Sequence, residues 1–259
     1  AYERLIDLNP GNREVLYKKL KDLQAVTGFR EKYLYRNLMY AIAGHMVGKI
    51  AGTRWESFVQ KEIFDPLGMS ATNFDLDIAG SDDRASGYNH FDGKLVPVKY
   101  RDFVSSNPAG GINSNINDML KWIRFMTDFS KKKGMETIID VKLKRELQAP
   151  HMAVSSNPRS MIAPVENYAM GWNVQPYRGH HYLYHGGFVR GFSSLVSFMP
   201  QKKIGVVILC NHQVSLLIYY LNYYIYDRML NNNETDWQAL IEKNRPKYQK
   251  NNTTTPSKE

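Results

Sequence analysis

The chain has 259 residues and a mass of 29.9 kDa, and its 34 Lys and Arg against 25 Asp and Glu give a formal charge of +9. Hydrophobic residues make up 43% and charged residues 23%, which excludes a disordered chain, a collagen-like repeat and a disulfide-stapled miniprotein. This length fits one large domain or two small ones. The single cysteine, Cys210, cannot form an internal disulfide, so thiol content does not indicate a redox compartment.

The chain starts at Ala1 rather than at a methionine. We therefore expect that an upstream, N-terminal part of the protein is missing from this sequence. No basic-then-apolar signal segment is visible in the residues present.

The positive charge is spread over short runs rather than gathered in one stripe. The runs lie at residues 131–133, 142–145 and 243–250. None of them is a long basic stripe interleaved with aromatic residues, and neither zinc-finger spacing nor a glycine-rich phosphate loop accompanies them. We interpret them as solvated faces and a basic tail, and predict no nucleic-acid partner.

Two other classes of function are also not predicted. The longest apolar run, residues 214–226, is well short of the roughly 20 residues that a membrane-spanning helix needs, so we predict no transmembrane segment. The seven histidines are scattered and no metal-ligand spacing is present. We therefore predict no metal site and no cofactor.

Apolar residues at helical spacing predict three helices in the first quarter of the chain, over residues 12–26, 34–50 and 53–64. Thr53 is predicted to cap the third helix, with Glu56 at the capping-box position. Turn-forming residues in the sequence DPLGM should end that helix.

The middle of the chain contains a turn signal on each side of residue 100. A hairpin is predicted over residues 85–100, with its turn at Asp92-Gly93. Residues 108–113 (PAGGIN) predict a tight turn, and an amphipathic helix should follow over 116–129.

The last third of the chain changes to strand periodicity. Strands are predicted over 168–176, 180–185, 191–199 and 203–210, followed by a helix over 214–230. The last of these strands is continuously apolar, which is typical of a strand buried on both faces.

This order of elements predicts one α+β domain over residues 1–243, with an antiparallel sheet flanked by helices. Residues 244–259 are polar and basic without apolar periodicity, and we expect them to be a disordered tail.

Three short patterns occur in a fixed order along the chain. The first is Tyr35-Arg36-Asn37, directly before a predicted helix, and the second pairs residues 66–72 with residues 109–122. The third is His185-Gly186-Gly187, followed by a strand, a turn and another strand that ends at Asn211.

Together the three patterns resemble the serine β-lactamase-like family, which includes class C β-lactamases, penicillin-binding carboxypeptidases and related esterases. The likeness runs from about residue 33 to residue 211. It implies a β-lactamase/transpeptidase-like fold with a helical subdomain, and acyl-transfer hydrolysis of a small ester or amide.

The resemblance also implies roles for individual residues. Tyr35 would accept and return a proton, and Asn37 would hold a carbonyl-bearing part of the substrate. His185 and Gly187 would fill the Lys/His-x-Gly element of the edge strand. A glycine there lets an acyl group approach the backbone, and the N–H of Phe188 could serve as an oxyanion donor.

The chain departs from the family pattern at the nucleophile. The family uses the serine of a Ser-x-x-Lys turn upstream of the tyrosine motif, but no serine precedes Tyr35 here. The single Ser-x-x-Lys sequence, Ser130 to Lys133, lies downstream in a charged helix end, and we do not expect it to function. Simpler interpretations remain open: Tyr35 as a packing residue and His185 as an ordinary strand histidine.

Two functions therefore stay open from the sequence. The first is a serine hydrolase whose nucleophile lies in a longer chain, so that residues 1–259 alone would have no activity. The second is a catalytically inactive, secreted binding or extracellular-matrix protein. Glycosylation sequons at Asn233, Asn251 and Asn252 favour secretion. The sequence does not indicate an oligomeric state.

Overall fold

The computed structural model describes residues 13–74, 84–91, 93–99, 104–129, 138–156, 165–213 and 217–250. The helices are α1 (Arg13–Lys19), α2 (Asn37–Ala51), α3 (Trp55–Val59), α4 (Asp65–Leu67), α5 (Asn107–Gly110), α6 (Ile116–Thr127), α7 (Val141–Gln148), α8 (Leu217–Met229) and α9 (Trp237–Lys250). The strands are β1 (Gly87–Phe91), β2 (Lys94–Val98), β3 (Met152–Ser156), β4 (Val165–Tyr168), β5 (Asn173–Tyr177), β6 (His180–Val189), β7 (Phe192–Met199) and β8 (Ile204–Cys210). Short 3-10 turns lie at Leu20–Asp22, Val104–Ser106 and Pro200–Lys202, and a π-helical turn at Gln60–Phe64 joins α3 to α4.

The chain divides into two compact units that alternate along the sequence. The first unit comprises residues 1–79, 102–185 and 197–205. The second unit comprises residues 80–101, 186–196 and 206–259.

Two antiparallel arrangements of strands account for the β structure of the described residues. Strands β1 and β2 form the predicted hairpin, with Gly87 opposite Val98 and Phe91 opposite Lys94. The larger sheet has six strands in the sequential order β3-β4-β5-β6-β7-β8. The α+β architecture with an antiparallel sheet and helices is therefore confirmed.

The prediction of one strand over residues 168–176 is wrong. The chain instead forms β4 and β5, and turns between them at residues 169–172, where the N–H of Ala169 donates to the carbonyl oxygen of Trp172 at 2.7 Å. Gly171 has a φ of +85°, a value that glycine adopts without the steric cost of a Cβ. The sequence did not reveal this reversal, because the turn itself contains apolar residues (AMGW at 169–172) that continue the apolar pattern of the strands.

The prediction that β8 is buried on both faces is also wrong. Only Val206 of this strand is buried, and Leu209 is 41% exposed. A strand buried on both faces needs a packed layer on each side of the sheet, and the side chains of β8 are mostly only half-buried.

Helix α2 begins close to its predicted start, but the residue expected to cap the next helix belongs to the end of α2. The N–H of Thr53 donates to the carbonyl oxygen of Gly48, and the N–H of Gly52 donates to that of Lys49. With Gly52 at a φ of +65°, these bonds form a Schellman motif. Thr53 is therefore not an N-cap: α3 starts at Trp55, and its N-cap Arg54 makes no side-chain capping bond.

Glu56 has a different role from the predicted capping box. Its side chain is buried, forms an ion pair with Arg13 and accepts a 2.8 Å hydrogen bond from the Asn107 amide. Glu56 therefore ties α3 to α1 and α5 within the first unit.

The C-terminal part of the chain is more helical than predicted. Helix α9 extends to Lys250, so the expected start of a disordered tail at residue 244 falls inside a helix. Residues 251–259, including the sequons at Asn251 and Asn252, lie outside the described residues. Among the helices that the structure describes, none has the length and apolarity needed to cross a membrane.

Each unit contains buried apolar side chains of its own. In the first unit, Leu16, Leu38 and Ile42 pack α1 against α2, and Trp172 meets Phe198 edge-on with 4.8 Å between ring centroids. In the second unit, the buried Trp237 donates its indole N–H to Asp227 at 2.9 Å. The contact between α1 and α2 supports the helix that follows Tyr35 in the site described next.

Candidate active site

The first motif stands at the N-terminus of α2. Arg36 is the N-cap, with extended φ and ψ of −148° and 116°, and Asn37 is the first helical residue. Tyr35 therefore precedes the helix in extended chain, as predicted. The Arg36 guanidinium donates to the Tyr35 carbonyl oxygen at 3.1 Å, which helps to set the backbone at this point.

The first unit brings Tyr35 together with His185, which lies on β6. Their ring centroids are 6.0 Å apart, at an interplanar angle of 44°. The rings of Tyr40 and Tyr168 lie 6.1 Å from that of Tyr35. Together with Tyr33, which packs on Tyr168 at 5.3 Å, these residues form a group that we call the tyrosine cluster (Tyr33, Tyr35, Tyr40, Tyr168 and His185).

Hydrogen bonds connect three members of the tyrosine cluster. The hydroxyl oxygens of Tyr40 and Tyr168 are 2.7 Å apart, and the Tyr168 hydroxyl lies 3.3 Å from Nε2 of His185. Tyr40 and Tyr168 were not singled out from the sequence. Tyr40 lies one helical turn after Asn37, a spacing that could have revealed it, whereas nothing local marks Tyr168.

Burial keeps two of these phenols protonated. It is the main cause that raises the pKa of Tyr168, assisted by the hydrogen bond with Tyr40 and by the charges of neighbouring phenols. Burial, with smaller contributions from the charges of Tyr35, Glu166 and Tyr40, raises the pKa of Tyr33 to about 12. Both residues are therefore neutral hydroxyl groups at neutral pH.

The second motif forms a buried polar centre around Asp118. The carboxylate accepts hydrogen bonds from the N–H of Ala71 at 2.8 Å, from the Thr72 hydroxyl at 2.9 Å and from the Lys121 ammonium at 2.7 Å. Asn115 caps α6 by accepting the N–H of Asp118 at 2.9 Å. The two halves of the motif are thus joined by one carboxylate, which the sequence pattern did not single out.

The same motif ends α4. Gly68 has a φ of +67°, and the N–H of Met69 donates to the carbonyl oxygen of Phe64 at 2.8 Å, as in a Schellman motif. Lys121 also donates to the Gly68 carbonyl. The sequence PLGM therefore has a structural role, and it ties α4 to α6.

The third motif continues from His185 into the second unit. A Cβ added at Gly187 would lie 2.5 Å from Oγ of Ser194, and one at Gly186 would overlap the Tyr219 hydroxyl. Close packing is therefore one reason for glycine at both positions. Phe188 is 44% exposed and stacks on Tyr219, with ring centroids 6.3 Å apart.

Two other predictions concern a metal site and the Ser-x-x-Lys sequence. Within the described stretches, no three His, Cys, Asp or Glu side chains lie together as a metal site would require. Ser130 and Lys133, the one Ser-x-x-Lys sequence, lie outside the described residues.

Solved structures share this fold. An octameric penicillin-binding protein homologue from Pyrococcus abyssi matches with a TM-score of 0.73 and 23% identity, over 90% of this chain and 48% of that one. A class C β-lactamase matches with a TM-score of 0.69 and 19% identity, over 84% of this chain and 63% of that one. The fold is thus that of class C β-lactamases and penicillin-binding protein homologues.

The family model described as Beta-lactamase matches residues 2–224, and the chain belongs to this family. An unguisins hydrolase of Aspergillus violaceofuscus is 30% identical over 208 residues, which cover 75% of this chain and 37% of the relative. Protein flp of Staphylococcus aureus is 25% identical over 197 residues, which cover 74% of this chain and 36% of the relative. The chain thus spans less than two fifths of the curated relatives that it matches.

Proposed function

We propose that this chain supplies the proton-transfer and substrate-binding part of a serine hydrolase that cleaves an ester or amide. The observation that carries the proposal is the 6.0 Å approach of Tyr35 and His185, which come from the first and third motifs and share Tyr168 as a neighbour. Membership of the Beta-lactamase family supports the reaction class.

The proposed reaction needs a serine in the same polypeptide as residues 1–259. The serine oxygen attacks the acyl carbon while Tyr35, as the phenolate that the lysine of the Ser-x-x-Lys turn would stabilise, takes the hydroxyl proton. The tetrahedral oxyanion then collapses, and the leaving alcohol or amine recovers the proton from Tyr35. Water attacks the acyl-serine by the same route, which releases the acid and regenerates the serine.

The other residues of the proposed site bind rather than react. Asn37 offers its amide to a carbonyl-bearing part of the substrate, and His185 and Gly187 border the acyl group. The N–H of Phe188 is the proposed donor to the oxyanion. Each assignment is a proposal that rests on the family motif and on the position of the residue in α2 or β6.

The proposed substrate is a small acyl compound. The fungal relative is named a hydrolase of unguisins, which supports hydrolysis as the reaction. Members of one fold act on different acyl compounds, so the proposal stops at the class of ester or amide.

We expect Tyr35→Phe to slow acylation by about 10²–10⁴-fold, because a positioned general base contributes a factor of that size. The protein to use is the full polypeptide translated from the first in-frame methionine through residue 259. The measurement is its rate of labelling by a fluorophosphonate, a probe that phosphonylates activated serines and so requires the same attack by the serine oxygen as acylation does. Residues 1–259 alone should neither be labelled nor hydrolyse a generic ester above the buffer rate.

Tyr33→Phe is the matched control, since it removes a hydroxyl from the same cluster without touching the proposed base. It should label at the parent rate. If no Ser-x-x-Lys turn precedes Tyr35 in frame, or if Tyr35→Phe labels as fast as the parent, the hydrolase proposal fails.

A second candidate function is a catalytically inactive, secreted binding or extracellular-matrix protein. The exposed position of Asn233 in the sequon Asn233-Glu234-Thr235, between α8 and α9, supports it. We expect the native protein to carry N-glycan mass at Asn233, which peptide mass spectrometry before and after glycosidase treatment would detect. An unmodified Asn233 together with fluorophosphonate labelling of the full polypeptide would exclude this candidate.

A further inference from the structure

Three polar groups of the tyrosine cluster form a continuous hydrogen-bonded row, in the order Tyr40, Tyr168, His185. We propose that Tyr168 is a positioning residue, which donates its hydroxyl hydrogen to Nε2 of His185 and so holds the imidazole as the Nδ1–H tautomer. Its importance for catalysis rests on the proposed function above. The hydrogen-bond arrangement itself does not depend on that function.

The sheet holds Tyr168 in reach of His185. Tyr168 pairs with Asn173 of β5, and Asn173 pairs with Tyr184 of β6. His185 is the next residue along β6, so the strand register across β4, β5 and β6 fixes the backbone positions from which Tyr168 and His185 reach each other. A side chain anchored in this way can fix the orientation of its neighbour, as a ring on a mobile loop could not.

Helix α2 supplies the other end of the row. Tyr40 follows Asn37 by one helical turn, and its hydroxyl meets that of Tyr168 at 2.7 Å, a usual separation for an O–H···O bond. The same helix start positions Tyr35. The row therefore links the segment that presents the proposed proton acceptor to the strand that presents His185.

The direction of the two hydrogen bonds in this row follows from how strongly each group donates or accepts a hydrogen bond. A phenol is a good donor, and the unprotonated nitrogen of an imidazole is a better acceptor than a phenol oxygen. The order Tyr40 to Tyr168 to His185 lets each phenol donate once, and the bond that Tyr168 accepts strengthens the bond that it gives. The raised pKa of Tyr168 means that its hydroxyl keeps the hydrogen that this order requires.

Two rings of the first unit that pack beside His185 are those of Tyr35 and Tyr168, at centroid distances of 6.0 and 6.2 Å. The carboxylate of Glu166, on the same strand as Tyr168, accepts a hydrogen bond from the Tyr184 hydroxyl. With Nε2 bound to Tyr168, the Nδ1–H is the group that the imidazole presents to other partners.

The test is nuclear magnetic resonance of the 259-residue chain labelled with ¹⁵N-histidine, because the two tautomers give different ¹⁵N shifts. The His185→Gln spectrum identifies the signals of His185. At neutral pH we expect Nδ1 to carry the hydrogen in the parent. In Tyr168→Phe this bias should be lost, and the signals should move toward those of a mixture of tautomers.

Two further variants separate positioning from general packing. Tyr33→Phe changes another phenol that packs on Tyr168, and it should leave the tautomer unchanged. Tyr40→Phe should also preserve the Nδ1–H tautomer, since Tyr168 keeps its bond to His185; it tests the row even if Tyr168→Phe does not fold.

A hydrogen on Nε2 in the parent would overturn the proposal, as would an unchanged tautomer in Tyr168→Phe or a switch of tautomer in Tyr40→Phe. The readout does not involve hydrolysis. Failure here therefore leaves the hydrolase proposal standing, and failure of the labelling experiment leaves this one standing.

Discussion

Asp118→Asn is expected to lower the free energy of unfolding by about 2–4 kcal/mol, because it leaves buried donors without an ionised acceptor. Asp118 is 2% exposed and accepts from the N–H of Ala71, the hydroxyl of Thr72 and the ammonium of Lys121. An asparagine of the same shape has one oxygen and an NH₂ group, so at least one donor would face another donor. Urea unfolding at neutral pH, followed by circular dichroism, measures the change.

The same variant has a predicted pH dependence. Burial opposes ionisation of Asp118, but the hydrogen bonds from Lys121, Thr72 and Ala71 outweigh it and lower the pKa of this carboxyl group. The unfolded chain then binds more protons than the folded chain as the pH falls below about 4. The stabilisation is therefore complete at neutral pH and is lost in acid, so the difference between parent and Asp118→Asn should shrink as the pH falls.

Asp140→Asn is the matched control for Asp118→Asn. Asp140 caps α7 by accepting the N–H of Leu143 at 2.7 Å, and asparagine is an equally good N-cap at this exposed position. We expect a change close to zero. Equal destabilisation by the two substitutions would mean that the Asp118 centre does not hold the second motif together.

Gly44→Ala is expected to destabilise the protein by about 1–3 kcal/mol, although alanine is the better helix former. The reason is space: a Cβ at this position of α2 would overlap the ring of Pro108, with Cβ of Pro108 2.5 Å away and Cδ1 of Trp55 3.3 Å away. Helix propensity predicts that this substitution raises the free energy of unfolding, whereas packing predicts that it lowers it. Thermal and urea unfolding of this one variant therefore shows which effect is larger.

Gly110→Ala is the control, because it makes the same chemical change in the turn that contains Pro108. A Cβ at Gly110 would meet no atom within 4 Å. We expect no loss of stability, since alanine here mainly reduces the freedom of the unfolded chain. If Gly44→Ala were as harmless as Gly110→Ala, α2 would not be set against α5 by this contact.

The Gly44 contact also matters for the candidate site. Helix α2 begins directly after Tyr35, and its contact with Pro108 connects the first motif to the second. A displaced helix would move Tyr35 away from His185. We therefore regard the glycine as part of what orients the tyrosine cluster.

Local patterns in the sequence predicted the elements with strong periodicity or turn signals. The β1–β2 hairpin, whose predicted turn residue Asp92 lies outside the described residues, the start of α2 after Tyr35 and the amphipathic α6 were confirmed, because each depends on residues that are close in the chain. The order of three motifs was enough to recognise the family, and the family model and the fold confirmed it.

Long-range packing decided the rest. Thr53 has the side chain of an N-cap, yet its backbone completes the end of α2, and Glu56 pairs with the distant Arg13 and Asn107. β8 has the composition of a strand that is buried on both faces, but its Leu209 side chain is 41% exposed in the folded chain.

The candidate site likewise depends partly on local sequence patterns and partly on long-range packing. The sequence by itself determined the family and indicated Tyr35 and His185, because the type, order and spacing of the motif residues can be read along the chain. Only the tertiary structure brought these two residues together and linked Tyr40 and Tyr168 to His185 by hydrogen bonds. Side chains from α2, β4 and β6 meet there because of strand register and helix packing, and no single stretch of sequence contains that information.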